Sequence, residues 1–197
     1  MSMDVYLVRH GRTRLNAAGL LRGRLDPPLD TVGQAEAREL ASQLGQVGVS
    51  RVVSSSLLRA TETAAPIAAA AEVSIEIDDR FIDRDYGEFN GHACSEVGPQ
   101  FGSLDDAPGV EPAAEVAARA EAALTELVGG TDPGPLVIVT HDAVIRLLLD
   151  QLLHATDHHG HVPQRTGCWN LLRYSDLGWS LVIVDSKDDP VDPAFTH

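Results

Sequence analysis

Three short runs of strand-forming residues, Val5 to Val8, Val52-Val53 and Leu136 to Thr140, constrain this chain more than any other feature. Each stops abruptly at polar residues: Arg9-His10-Gly11, Ser54-Ser55-Ser56 and His141. Runs this apolar are buried on both faces, as in a parallel sheet covered by helices on each side. Helical periodicity follows the second and third runs directly and the first after a proline-marked loop, Asp26 to Asp30. The spacing predicts helices from Thr31 to about Gln46, Leu57 to Ala71, Pro112 to Val128 and Ala143 to Leu153. Thr31 to Gln34 reads as a capping box, and Asp142 as the cap of the last helix. A strand over Val73 to Ile77 and a final pair, Cys168 to Tyr174 and Trp179 to Asp185, complete the pattern.

Alternating strands and helices predict an α/β fold, a three-layer α/β/α sandwich with a mostly parallel central sheet and right-handed crossovers. No repeat or long linker divides the 197 residues, so residues 1–187 read as one catalytic domain and 188–197 as a flexible tail. Ligands of such sheets bind beyond the carboxyl ends of the strands. His10, Ser55 and His141 all fall at that edge.

Charge narrows the ligand. A net charge of −14 repels nucleic-acid phosphates over most of the surface. Yet Arg9, Arg12, Arg14, Arg22 and Arg24 crowd the first 24 positions, and Lys187 is the one lysine among fifteen basic residues. A basic pocket on an acidic body fits a small anion. No apolar run approaches the roughly 20 residues of a membrane span. The N-terminus lacks the basic and apolar regions of a secretory signal, so a cytoplasmic location is expected, with neither membrane nor nucleic acid as partner. Cys94 and Cys168 form no CxxC motif and read as reduced bystanders. The oligomeric state is not specified, and a homodimer is compatible with the chain.

Histidines after strands, with arginines near them, point to phosphate rather than to a metal. Several guanidinium groups would repel a divalent cation. They match phosphate oxygens bidentately and stay charged at physiological pH. Positive neighbours also push an imidazole below its ordinary pKa of about 6.5, which keeps it neutral and nucleophilic. His10 is therefore usable as a nucleophile.

The segments Val-Arg9-His10-Gly11-Arg-Thr-Arg-Leu-Asn16, Leu-Arg22-Gly23-Arg-Leu-Asp26-Pro-Pro-Leu29, Gly33-Gln-Ala, Val-Ser54-Ser55-Ser-Leu-Leu-Arg59-Ala-Thr-Glu-Thr63 and Val-Thr140-His141 resemble the histidine phosphatase superfamily, in its phosphoglycerate-mutase-like branch. The resemblance runs from the first strand to about Leu149. It implies a metal-independent phosphoric monoester hydrolase of the histidine acid phosphatase type, acting on a small phosphorylated metabolite and using no cofactor. By that resemblance His10 carries the phosphoryl group, Arg9, Arg59 and His141 surround it, Asn16 hydrogen-bonds it, and Arg22-Gly23 lies beside the substrate.

Two positions depart from the family pattern. The proton donor is usually a glutamate four residues before a glycine, and here register puts Asp83 there, with Asp85 and Glu88 as rivals expected to be turn residues. Asp142 stands where glycine commonly follows the second histidine, and is expected to turn away and cap the next helix. Arg84 and Tyr86-Gly87 resemble the mutase form of the loop and make Arg84 a candidate substrate contact. However, Cys94 replaces the lysine typical of mutases. His154, His158, His159 and His161 form a histidine tract that reads as incidental surface polarity. Three alternatives stay open: a mutase, a Ser-His-Asp hydrolase built from Ser55 and His141 without a G-x-S-x-G elbow, and a non-catalytic phospho-ligand binder.

Overall fold

The computed structural model describes residues 2–130, 134–153, 164–188 and 190. Six strands form one sheet: β1 (Met3–Arg9), β2 (Arg51–Ser54), β3 (Ile75–Ile77), β4 (Leu136–Thr140), β5 (Trp169–Ser175) and β6 (Gly178–Ser186). Their spatial order is β3-β2-β4-β1-β5-β6. The first four are parallel; β5 adds antiparallel to β1, and β6 adds antiparallel to β5 at the edge. The helices are α1 (Arg14–Ala17), α2 (Thr31–Leu44), α3 (Leu58–Ala71), α4 (Cys94–Phe101), α5 (Ala113–Val128) and α6 (Asp142–Leu152). No helix among the described residues is long and apolar enough to cross a membrane.

The strand period of two divides the core between the faces. On one face Val5, Leu7, Leu136 and Ile138 meet Val116, Leu124, Ile145 and Leu148 of α5 and α6. On the other, Tyr6, Val8, Val137 and Val139 meet Leu40, Leu44, Ala64 and Ile67 of α2 and α3. The result is the α/β/α sandwich, with each fully buried aliphatic side chain contributing about 1.5–3 kcal/mol of transfer free energy. A smaller cluster of Leu21, Tyr86, Phe89, Val97, Ala107 and Val110 joins the loops that lie beyond the strands' carboxyl ends.

Two helix starts differ from expectation. The cap of α2 is Asp30, whose carboxylate accepts from the Gly33 amide, and Thr31 is already helical. Asp30 has the extended backbone that a cap requires, so the capping-box reading was one residue late. The cap of α6 is His141, also extended and without a side-chain cap bond, so Asp142 is the first helical residue. From there its carboxylate reaches Arg146 one turn on, at 2.7 Å, instead of the helix amides. The sequence reading also missed α1 and α4, short helices in segments it left as loops. The histidine tract at 154–161 and nearly all of the tail lie outside the described residues.

The start of α2 presses backbone to backbone against the loop after β1. A Cβ on Gly33 would fall 2.1 Å from the Arg12 carbonyl oxygen, and one on Gly11 would fall 2.6 Å from the Gly33 oxygen. Gly33→Ala is therefore expected to destabilise the protein by about 1–3 kcal/mol, as overpacking does. The measurement is a lowered urea midpoint with an unchanged m-value. An unaltered midpoint would mean that the two backbones separate at no cost.

Candidate active site

Strand register assembles the site. Parallel pairing sets Arg9 beside Thr140 and Ser54 beside Val139, with β4 between β1 and β2. The next residues continue the alignment: the His10 amide donates to the Thr140 carbonyl at 3.0 Å, and the Ser55 amide donates to Val139 at 3.1 Å. His141 thus emerges between His10 and Ser55. The two imidazole centroids lie 5.1 Å apart.

His10 has its Nδ1 at 2.7 Å from the Gly11 carbonyl oxygen. A carbonyl only accepts, so Nδ1 carries the proton and Nε2 keeps its lone pair. That lone pair faces Arg59 Nε at 3.2 Å. Burial, then the charges of Arg59, Arg9 and Arg22, hold the His10 pKa well below the ordinary imidazole value. His141 is shifted the same way by burial and Arg59. Both rings are neutral at pH 7.

Arg59 is wholly buried at the start of α3. Its Nη atoms donate to the carbonyls of Leu25 and Gly23, at 2.8 and 3.0 Å, and to Asp83 Oδ2 at 2.8 Å. Thr63, one turn along, accepts from the Gly11 amide and donates to the Arg59 carbonyl, tying α3 to the loop after β1. Arg9 donates to the Gln164 carbonyl, lies 4.0 Å from Asp142, and has an Nε with no partner.

Asp83 joins this group, and the rival carboxylates do not. Its Oδ1 accepts from the Arg84 amide at 2.9 Å, and its Oδ2 lies 3.8 Å from His141 Nδ1. Asp85 is instead engaged by the Gly87 amide and Asn90, and Glu88 is exposed. Gly23 contributes a carbonyl to Arg59 at a backbone φ of 45°, with no room for a side chain against Asn90. Arg22 acts on both histidines through its charge, and its Nε has no partner.

Two candidates have side-chain atoms engaged by other partners. Asn16 Oδ1 is taken by the Thr13 amide and hydroxyl in a capping box on α1. Arg84 donates to the Glu111 carbonyl at 2.7 Å and pairs with the Asp105 carboxylate. It lines a neighbouring cavity of about 330 Å³ with Tyr86, Asp142 and Arg146 rather than the histidine pair. Asp142, expected to cap α6, is instead held by Arg146 and borders both spaces. Sequence reasoning did not assign a supporting role to Thr63 or Gln164. Thr63 lay within a recognised segment, whereas nothing in the sequence marks Gln164.

The comparisons agree with this geometry. Residues 5–186 match the model of the histidine phosphatase superfamily, branch 1. A Proteus mirabilis protein named "Probable phosphoglycerate mutase GpmB" is 30% identical over 161 residues, covering 77% of this chain and 75% of its own. The solved structure titled mycobacterial hydrolase 1 superposes with a TM-score of 0.86 at 25% identity, covering 94% of this chain and 99% of that one. A mycobacterial glucosyl-3-phosphoglycerate phosphatase solved with VO3 gives 0.81 at 25% identity, with 93% and 99% covered. A match across nearly the whole chain, on a fold that sets two histidines and a buried arginine at one sheet edge, makes this protein a member of the histidine phosphatase superfamily.

Proposed function

We propose that the protein hydrolyses small phosphomonoesters through a phosphohistidine on His10. The observation that carries this reading is the unprotonated Nε2 of His10, buried and facing the Arg59 guanidinium at 3.2 Å. Nε2 attacks phosphorus in line as the ester P–O bond breaks, and Asp83 supplies a proton to the leaving oxygen. The proton enters on Asp83 or on a monoanionic substrate. Water then attacks the phosphohistidine, Asp83 accepts its proton, and the P–N bond electrons return to His10. Arg9, Arg59 and His141 stabilise the equatorial oxygens.

The Asp83 carboxylate pairs with the Arg59 guanidinium at 2.8 Å. An entering phosphoryl group competes for that guanidinium and leaves Asp83 free to meet the leaving oxygen. The reading is tested by screening purified protein against a panel of phosphorylated metabolites with phosphate release as readout. Failure to turn over any of them, or a generic aryl phosphate, would favour a non-catalytic binder.

Among the described residues no group of three or more His, Cys, Asp or Glu side chains is arranged to hold a metal. Because arginines are proposed to hold the phosphoryl group, activity is expected to survive exhaustive chelation and to be unaffected by added magnesium. A loss restored by metal would contradict the arginine-based mechanism.

Two other readings each have an observation behind them. The mutase names of the curated relatives favour phosphoryl return to a bound sugar acid. That chemistry requires a grip on a second acid group, but Arg84 is already paired with Asp105 and Cys94 offers no charge. Ser55 Oγ lies 2.9 Å from His141 Nε2, which favours a serine hydrolase. In that scheme Asp83 would orient His141, whereas its short contacts are to Arg59 and the Arg84 amide. Vanadate inhibition separates the classes, because vanadate acts on a phosphoryl site.

A further inference from the structure

Ser55 is fully buried at the end of β2. Among the described residues two groups lie within hydrogen-bond distance of its hydroxyl: the Leu57 amide at 3.3 Å and His141 Nε2 at 2.9 Å. The amide can only donate, so it takes a lone pair of the hydroxyl oxygen. The hydroxyl proton then has one acceptor, the imidazole nitrogen. If Nε2 itself carried a proton, the hydroxyl would be buried with nowhere to donate, an arrangement that proteins avoid. We infer that Ser55 is a positioning residue that holds His141 in the Nδ1-protonated tautomer and so presents an N–H, not a lone pair, to the phosphoryl position.

The opposite side of the ring agrees. His141 Nδ1 is buried with no hydrogen-bond partner, and Asp83 Oδ2 stands 3.8 Å from it. An unpartnered N–H aimed at the place where an anion belongs is satisfied when a phosphoryl oxygen arrives. An unpartnered lone pair there would repel that oxygen. Burial and the neighbouring arginines keep the ring neutral, so a tautomer preference rather than a second proton decides which nitrogen donates. His10 is held in the same tautomer by the Gly11 carbonyl but is turned round. His10 thus offers a lone pair for phosphorus, and His141 offers an N–H for oxygen.

The tautomer rests on geometry alone, and its kinetic consequence rests on the phosphatase reading. Nitrogen-15 imidazole spectra of the whole protein at pH 7, with the His141 ring assigned through its own backbone resonances, should show the proton on Nδ1. A proton on Nε2 overturns the inference, whether or not any substituted protein folds. In Ser55→Ala the preference should relax to a mixture, and kcat should fall roughly two- to tenfold with little change in KM. That is the ratio one neutral hydrogen bond maintains. Ser55→Thr, which keeps the hydroxyl, should restore both. An unchanged tautomer in Ser55→Ala also overturns the inference, as does a loss of about 10⁴-fold or more, which would make Ser55 a nucleophile. Wild-type protein inactive on every phosphomonoester would defeat the phosphatase reading and leave the spectrum as a separate result.

Discussion

Brief incubation with a labelled phosphodonor, then denaturation, is expected to leave an acid-labile, alkali-stable phosphoryl group on His10. In the proposed reaction Nε2 is the attacking atom, since Nδ1 is committed to the Gly11 carbonyl. Burial and the arginines act together to keep the ring unprotonated. A depressed pKa means that the ring stays unprotonated through the ordinary imidazole range, so adduct formation should not fall off as pH drops from about 7.5 to about 6.5. His10→Ala should lower turnover by about 10⁴-fold or more, as removal of a nucleophile does. The His10 backbone amide still reaches Thr140 in that variant, so the strand edge should persist, and circular dichroism should be unchanged. A stable adduct on serine would sink the mechanism and point to Ser55.

Asp83→Asn is expected to separate substrates by leaving group. Alkyl phosphates should turn over about 10² to 10⁴ times more slowly, the range of general acid catalysis. Activated aryl phosphates should be affected far less, because their phenolates leave with little protonation. The structure adds a second expected change. The Asp83 carboxylate sits 2.8 Å from Arg59 and competes with phosphate for it, so the neutral amide should let inorganic phosphate inhibit more tightly. Glu88→Gln, at an exposed turn, should change neither quantity. Leaving-group dependence in Glu88→Gln but not in Asp83→Asn would mean the proton donor is misplaced while His10 remains the carrier.

Several of these residues were legible in the chain because their signals are local. Apolar runs ending at His10 and His141 are read from strand period and burial, and Arg59 from its place one residue into a helix. Asp83 was found by register against a family pattern, and the tertiary structure shows it, rather than Asp85 or Glu88, facing Arg59 and His141. Other assignments failed for a stated reason. Asp142 and Thr31 each lie one residue past the extended residue that caps the helix, and a sequence window does not resolve cap from first turn to a single position. The pairing of Arg84 with Asp105, 21 residues away, is likewise invisible to a local pattern.

The sequence by itself determined the layered α/β architecture, the sheet edge at which the histidines gather and the local excess of arginine in the first 24 positions. Each follows from periodicity, from the place where apolar runs stop and from local charge. Only the tertiary structure decided which side chains meet. The register of β1, β4 and β2 sets His141 between His10 and Ser55. That register also gives His141 its hydrogen-bond partner, Ser55, and leaves its other ring nitrogen unpartnered. Contacts between residues 49 and 86 positions apart depend on how the strands align, and no local pattern encodes that alignment.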